Sequence, residues 1–353
     1  MRVWIFSTLL FSSCWASPCT WCNDPVSCAF THPNDLKLNC KRNFFFHVGG
    51  LAWQAKQGGM EYAIRDTSSL SQITEGKVLG FSDGHKDWKF QPGARLGIGY
   101  FFEHDHWSLN FDWTWLNITD HKSPTVPEGS ILIPLWLTGS SSGAGLDSRS
   151  MNAKWRAEYN VLDIHFAKPF LISNLFMTRP HLGIRTAWID QTFSVRYNGT
   201  FEKISPLIHH AENNFWGIGA RMGVQNELSM GKAGIFFFGN AAASFVYGKF
   251  NLAQNLPFTG ALDGFDFTGT SFQNIPNFEI ALGVGWEMYL VRNRYHLSFR
   301  LGYEFQEWFD QLRLRRFYSG VGGVNGNEAY PNSEVSREKL TLNGFFLRFQ
   351  FDL

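Results

Sequence analysis

The chain has 353 residues, a formal net charge of +1, and equal shares, 17% each, of aromatic and charged residues. So small a net charge gives no field to draw it to nucleic acid. Mean hydropathy is -0.18, and no internal apolar run approaches the roughly 20 residues that a spanning helix needs, which excludes a helical membrane protein.

Residues 1–16 read as a signal peptide, with Arg2 as the charged start, Val3 to Phe11 as the apolar core and Cys14-Trp15-Ala16 as a small-x-small cleavage site. Residues 17–42 hold Cys19, Cys22, Cys28 and Cys40, and no cysteine follows. In an exported chain disulfides are the default. Two readings stay open, a periplasmic arm that cross-links to envelope proteins and a locally stapled loop. A zinc site would need a second Cys-x-x-Cys pair beside Cys19 and Cys22, so no metal is expected.

Residues 43–353 read as alternating strands. The first covers Phe44 to Ala55, with Phe45, Leu51 and Trp53 on one parity. Tyr62-Ala63-Ile64 could extend a strand. Ala94 to Trp115 is the clearest hairpin. Leu96, Ile98, Tyr100 and then Leu109, Phe111, Trp113 and Trp115 share the apolar face, against Arg95, Gly97, Gly99 and then Asn110 and Asp112. Thr119 to Ser150 is a long loop whose Ile131 to Leu137 either folds inward or adds an edge strand. In the next strand Trp155, Ala157, Tyr159 and Val161 oppose Lys154, Arg156, Glu158 and Asn160. Leu162, Ile164 and Phe166 then take over the apolar side, which predicts a bulge near Asp163. Leu182, Ile184 and Trp188 oppose Arg185, then Phe193, Val195 and Tyr197 oppose Arg196. Trp216, Ile218, Ala220 and Met222 oppose Arg221. Ile235 to Tyr247 alternates poorly because of Phe236 and Phe238. Two cleaner strands set Phe278 to Met288 against Glu279 and Glu287, and Tyr295 to Phe305 against Arg300 and Glu304. The chain closes on Phe345, Leu347, Phe349 and Phe351, with Arg348 opposite.

Short links (Glu103–His106, Lys168–Arg179, Met230–Lys232, Arg292–Arg294) alternate with long ones around Gly76, Gly139, Ile204, Gly260 and Gly322. That asymmetry fits an all-β, transmembrane, antiparallel up-and-down β-barrel of about 10–12 strands in a bacterial outer membrane, with short periplasmic turns and long extracellular loops. A charge facing lipid costs about 2–4 kcal/mol at mid-membrane. Parity therefore assigns to the lumen Arg95, Lys154, Arg156, Glu158, Arg185, Arg196, Arg221, Glu279, Glu287, Arg300, Glu304 and Arg348. These charges either line a pore or pair and plug it, and a barrel of only ten strands favours the plug.

Catalytic patterns are weak. Gly139-Ser140-Ser141-Ser142-Gly143 matches a nucleophile elbow but lacks the flanking strand and helix. Gly217-x-Gly219 lies within a strand and lacks dinucleotide spacing. His104-x-His106 and His209-His210 read as solvated polar residues. No cofactor is expected, and an enzyme is the rival class.

Several stretches resemble the major-outer-membrane-protein-like family of Legionella and chlamydia-related bacteria. They are Trp155-x-x-x-Tyr159-Asn160-x-x-Asp163, Pro180-His181-x-Gly183-x-Arg185-x-Ala187-Trp188-Ile189-x-Gln191, Gly217-Ile218-Gly219-Ala220-Arg221, Gly302-Tyr303-Glu304-x-Gln306-x-Trp308 and Leu342-x-Gly344. The resemblance implies an abundant porin-like surface barrel, often tied into disulfide-linked envelope complexes and contacting host cells. It brings no catalytic residues. The expected function is passive diffusion of small hydrophilic solutes or ions with a structural envelope role, in contact with outer-membrane lipid. A homo-oligomer is an open option, and the alternatives are a plugged structural or adhesin barrel and a barrel enzyme.

Overall fold

A computed structural model describes residues 43–66, 76–81, 89–124, 130–136, 148–199, 206–230, 233–257, 265–292, 294–321 and 329–353. The expected signal peptide at residues 1–16, Cys19, Cys22, Cys28 and Cys40, and the Gly139–Gly143 pattern lie outside the described residues.

Ten long strands form the wall: β1 (Phe44–Gln57), β2 (Gln91–Phe101), β3 (Ser108–Lys122), β4 (Ser148–Ala167), β5 (Phe176–Gly199), β6 (Leu207–Ser229), β7 (Ile235–Leu256), β8 (Phe265–Leu290), β9 (Tyr295–Leu312) and β10 (Glu338–Asp352). Each pairs antiparallel with the next in the chain, and β10 returns to β1, Phe45 opposite Asp352 and Gln57 opposite Leu340. The ring is closed, so each strand has a partner on both sides within the lipid band, as a lipid solvent demands, while Phe265 to Pro276 of β8 pair with β7 alone.

The outward parity carries the apolar side chains. At the short-turn end Phe44, Phe46 and Tyr100 stand beside Tyr295 and Phe351, with Phe44 to Tyr100 at 4.9 Å and Tyr295 stacked on Phe351 at 5.5 Å. At the other end the register lines up Trp115, Asn160, Trp188 and Trp216 in one transverse row. These two belts are the aromatic girdles of a membrane barrel, and they bracket the apolar band.

Strands β3 to β6 run on past the outer girdle. Beyond Trp115 and Trp188 the outward rows turn polar: Asn117, Glu158, Asp190 and Asn214, then Thr119, Arg156, Thr192 and Glu212, then His121, Lys154, Ser194 and His210. The inward parity turns apolar at the same height, with Met151, Ala153, Trp155, Phe193 and Val195 buried. The reason is a filled interior. Ala63–Asp66 pairs with Lys77–Leu79 and with Ile131–Pro134, and these loop strands fold into the barrel mouth. Trp136 Nε1 donates to the Glu61 carbonyl at 2.7 Å, and Tyr197 Oη donates to the Tyr62 carbonyl at 3.0 Å. Phe81 meets Trp155 at 6.0 Å and Phe193 at 6.1 Å, and Trp136 stacks on His209 at 4.9 Å. Ile131–Pro134 is thus both an added strand and an inward fold.

This corrects the bulge near Asp163. Residues Ser150 to Ala167 keep unbroken register with Asn198 to His181, and the odd positions face inward throughout. The side chains do not change phase; their surroundings do. In the first strand Phe45, Leu51 and Trp53 do share one parity, and it is the inward one, while Phe44, Phe46 and Val48 meet lipid. Poor alternation in β7 has a similar cause. Phe236 and Phe238 lie inside, where glycines across the register, Gly285 and Gly283, leave room for their rings.

Candidate functional site

The candidate site is the lumen between the two girdles, and each of its charges sits on an inward position of a strand. Arg95 is on β2, Arg185 on β5, Arg221 on β6, Glu279 and Glu287 on β8, Arg300 and Glu304 on β9, and Arg348 on β10. All eight point into the barrel. Lys154, Arg156, Glu158 and Arg196 do not. Their neighbours in sequence, Trp155, Ala157 and Val195, fill the interior, so these four charged residues face outward above the outer girdle, where water replaces lipid. The argument that a charge cannot face outward holds only within the hydrocarbon band.

At the waist, side chains from well-separated strands meet. Arg185 forks onto Asp163, Nε to Oδ1 and Nη2 to Oδ2 both at 2.6 Å, and also reaches Glu279 at 2.5 Å. Glu279 accepts from Arg221 at 2.9 Å, and Arg221 lies 3.6 Å from Asp163. β5 and β8 are three strands apart around the ring, so the Arg185–Glu279 pair crosses the lumen. Arg95 reaches Glu304 with two parallel bonds of 3.0 and 3.1 Å, the bidentate geometry that favours arginine over lysine. Glu304 accepts from Gln306 at 2.6 Å, and Gln306 accepts from the Tyr159 hydroxyl at 2.9 Å. β4 and β9 face each other across the ten-strand ring, so the Tyr159–Gln306 bond spans its diameter. Trp53 and Trp308 pack edge-on against Tyr159 at 6.4 and 6.1 Å.

The periplasmic half is open. A vestibule at the short-turn end is bordered by Phe44, Phe101 and Ser229, with Arg300 paired to Glu227 at 2.8 Å and His296 held between Asp352 (2.7 Å) and Glu287 (3.3 Å). Above it a second cavity reaches up to Arg185 and Glu279, and Arg179 and Arg300 stand on the walls of both. Deeper still, His47 bridges Asp112 at 2.6 Å and Arg348 at 2.8 Å. Asp112, Asp163, Arg179, His47 and Tyr159 complete the site, none of them among the lumen charges assigned from the sequence. Asp112 and Asp163 share the inward parity of their strands and could have been read from it.

A match to the family described as Legionella pneumophila major outer membrane protein precursor covers residues 38–353. This chain belongs to that family. The Legionella major outer membrane protein family places it in the bacterial outer membrane, as a β-barrel. Nothing among curated proteins matches it. Among solved structures, the outer membrane protease OmpT of Escherichia coli aligns at 10% identity and TM-score 0.45, over 88% of this chain and 96% of that one. The toluene transporter TodX of P. putida aligns at 7% identity and TM-score 0.32, over 88% and 90%. A Pseudomonas aeruginosa FadL homologue aligns at 8% identity and TM-score 0.23, over 89% and 90%.

The histidine pairs noted in the sequence have local explanations. His104 and Asp105 sit in an exposed turn 2.6 Å apart, and their hydrogen bond raises the imidazole pKa and lowers that of the carboxyl from their ordinary values. His209 is buried among Trp136, Phe193 and Phe265, while His210 faces out and meets Glu212 at 3.4 Å. Among the described residues no three His, Cys, Asp or Glu side chains gather as metal ligands.

Proposed function

We propose that this outer-membrane barrel works with a closed lumen. In this reading it is a structural element of the envelope that anchors long loops at the cell surface and carries no catalytic step. The observation that carries the reading is the Tyr159–Gln306 bond across the diameter, flanked by the Arg95–Glu304 and Arg185–Glu279 pairs. Ten strands leave an interior that side chains can fill. Outer-membrane lipid covers the apolar band, and Cys19, Cys22, Cys28 and Cys40 would link the N-terminal arm to other envelope proteins.

Diffusion of small hydrophilic solutes or ions is the second reading. The open, charged periplasmic half favours it, because only the waist and the loop plug stand between that space and the outside. Planar-bilayer recording separates the two. Refolded wild-type protein gives no conductance steps in the first reading, and Tyr159→Gly with Trp308→Gly opens them. Regular steps from the wild type would overturn the closed-lumen reading in favour of diffusion.

A further inference from the structure

Six arginines, Arg95, Arg179, Arg185, Arg221, Arg300 and Arg348, stand on the wall of the mid-lumen cavity against four carboxylates, Asp112, Asp163, Glu279 and Glu304. The cavity encloses about 930 Å³ of space, open water included. Four of the arginines are matched. Arg185 and Arg221 share Asp163 and Glu279, Arg95 holds Glu304, and Arg300 holds Glu227. Arg179 and Arg348 are not: among the described residues, neither has a carboxylate oxygen within 4.0 Å. Arg179 donates to Ser108 Oγ at 2.6 Å, and Arg348 donates to His47 Nδ1 at 2.8 Å and to Gln350 Oε1 at 3.3 Å. All three acceptors are neutral. His47 is the link between Arg348 and Asp112, which it meets at 2.6 Å and which also lies 3.7 Å from His165.

A second observation points to a ligand. The Nε atoms of Arg179, Arg300 and Arg348 are buried and have no protein partner. Arg300 and Arg348 are direct partners in the β9–β10 register, so two like charges sit side by side on the inner wall. A buried cation without a counter-charge is costly, and a guanidinium brings five donors in a fixed fork. A small oxyanion supplies what is missing, negative charge and several acceptor oxygens at once. The vestibule below carries Glu227, Glu287 and Asp352, of which Glu227 is engaged by Arg300 and the other two by His296.

We propose that Arg179, Arg300 and Arg348 form a binding site for a small oxyanion of the phosphate or sulfate class, reached through the vestibule from the periplasmic end. The site lies below the waist, so it stands whether or not the lumen passes solutes.

Calorimetric titration of the folded, detergent-solubilised full-length protein tests it, with sodium phosphate and sodium sulfate in a constant chloride background. The wild type gives saturable binding. Arg179→Gln and Arg348→Gln each weaken it at least tenfold, the double variant abolishes it, and Lys154→Gln on the outer face leaves it unchanged. Folding of each variant is checked by its heat-shifted mobility on a gel. If the double variant does not fold, Arg348→Lys is measured instead, since it keeps the charge but loses the fork; weaker phosphate binding supports the site and equal binding overturns it. Heat that never saturates, or that chloride reproduces, overturns the proposal. So does binding that survives in a folded double variant.

Discussion

Glu279 is the residue on which most of the waist charge converges, so its replacement measures what the network contributes. Its carboxylate takes Arg185 at 2.5 Å and Arg221 at 2.9 Å, with its side chain only 5% exposed. Leucine at this position leaves the two guanidiniums Asp163 as their one carboxylate, beside the neutral Asn277 and His181. Arg185 keeps its two-bond fork to Asp163, but Arg221 keeps only a 3.6 Å approach to it. Removing one member of a buried pair costs about 3–5 kcal/mol, because the other charge is stranded. With Asp163 still present, the loss for Glu279→Leu falls near the lower end, about 3 kcal/mol. That is a factor of about 150 in the folding equilibrium. The measurement is equilibrium unfolding in urea of protein refolded into lipid vesicles, followed by tryptophan emission. The double variant Glu279→Leu with Arg221→Leu removes the stranded charge and recovers at least half the loss. A Glu279→Leu variant within about 1 kcal/mol of the wild type would refute the reasoning. A double variant no more stable than the single one would refute it too, since the stranded guanidinium is the stated cause.

The remaining predictions address faces and covalent links. With Cys19, Cys22, Cys28 and Cys40 replaced by serine, Lys154→Cys and Arg156→Cys are labelled on intact cells by a membrane-impermeant maleimide, and Arg221→Cys is not; the opposite pattern would put the first two back inside. Leu282 faces lipid with 63% exposure, and Leu282→Arg costs about 2–4 kcal/mol in vesicles. Thr119→Arg, above the girdle, changes stability by less than about 0.5 kcal/mol; equal costs would misplace the girdle. Membranes run on a non-reducing gel show slower species that collapse with reductant, and serine at the four cysteines removes them. Identical mobility with and without reductant speaks against cross-links through the N-terminal arm.

Parity in the sequence located the strands and, within the lipid band, the correct faces. Phe278 to Met288 face out and Glu279 faces in, as the alternation of that strand predicts. It failed on β4 and β5 for a definite reason. A period of two says that two faces differ, not which of them points inward. The sign came from assuming lipid outside along the whole strand. Above Trp115 and Trp188 the outside is water and the inside is the loop plug, so Lys154, Arg156, Glu158 and Arg196 took the opposite side from the one assigned. An apparent phase slip at an unbroken strand therefore marks the membrane surface rather than a bulge. Cross-lumen partners are a different matter. Which residue of β4 meets which residue of β9 depends on barrel closure and stagger, and no local pattern in either strand carries that information. Tyr159 read as one more apolar residue; only closure makes it half of a bond across the diameter.

The same closure explains why one half of the lumen is open and the waist is not. In the periplasmic half several bulky inward side chains lie beside glycines. His47 occupies the space a side chain on Gly97 would need, and Phe236 occupies that of Gly285. A ring can lie flat over a glycine and leave the lumen free, which is how aromatic residues cover bare backbone in sheets. At the waist Tyr159 and Trp308 lack this relief. Tyr159 has Leu116 and Ile189 as its cross-strand neighbours, and Trp308 has Asn277 and Leu340. With no glycine beside them, these side chains cannot lie along the wall and extend across the barrel instead, where they meet. Glycine neighbours thus give His47 and Phe236 room along the wall that Tyr159 and Trp308 do not have.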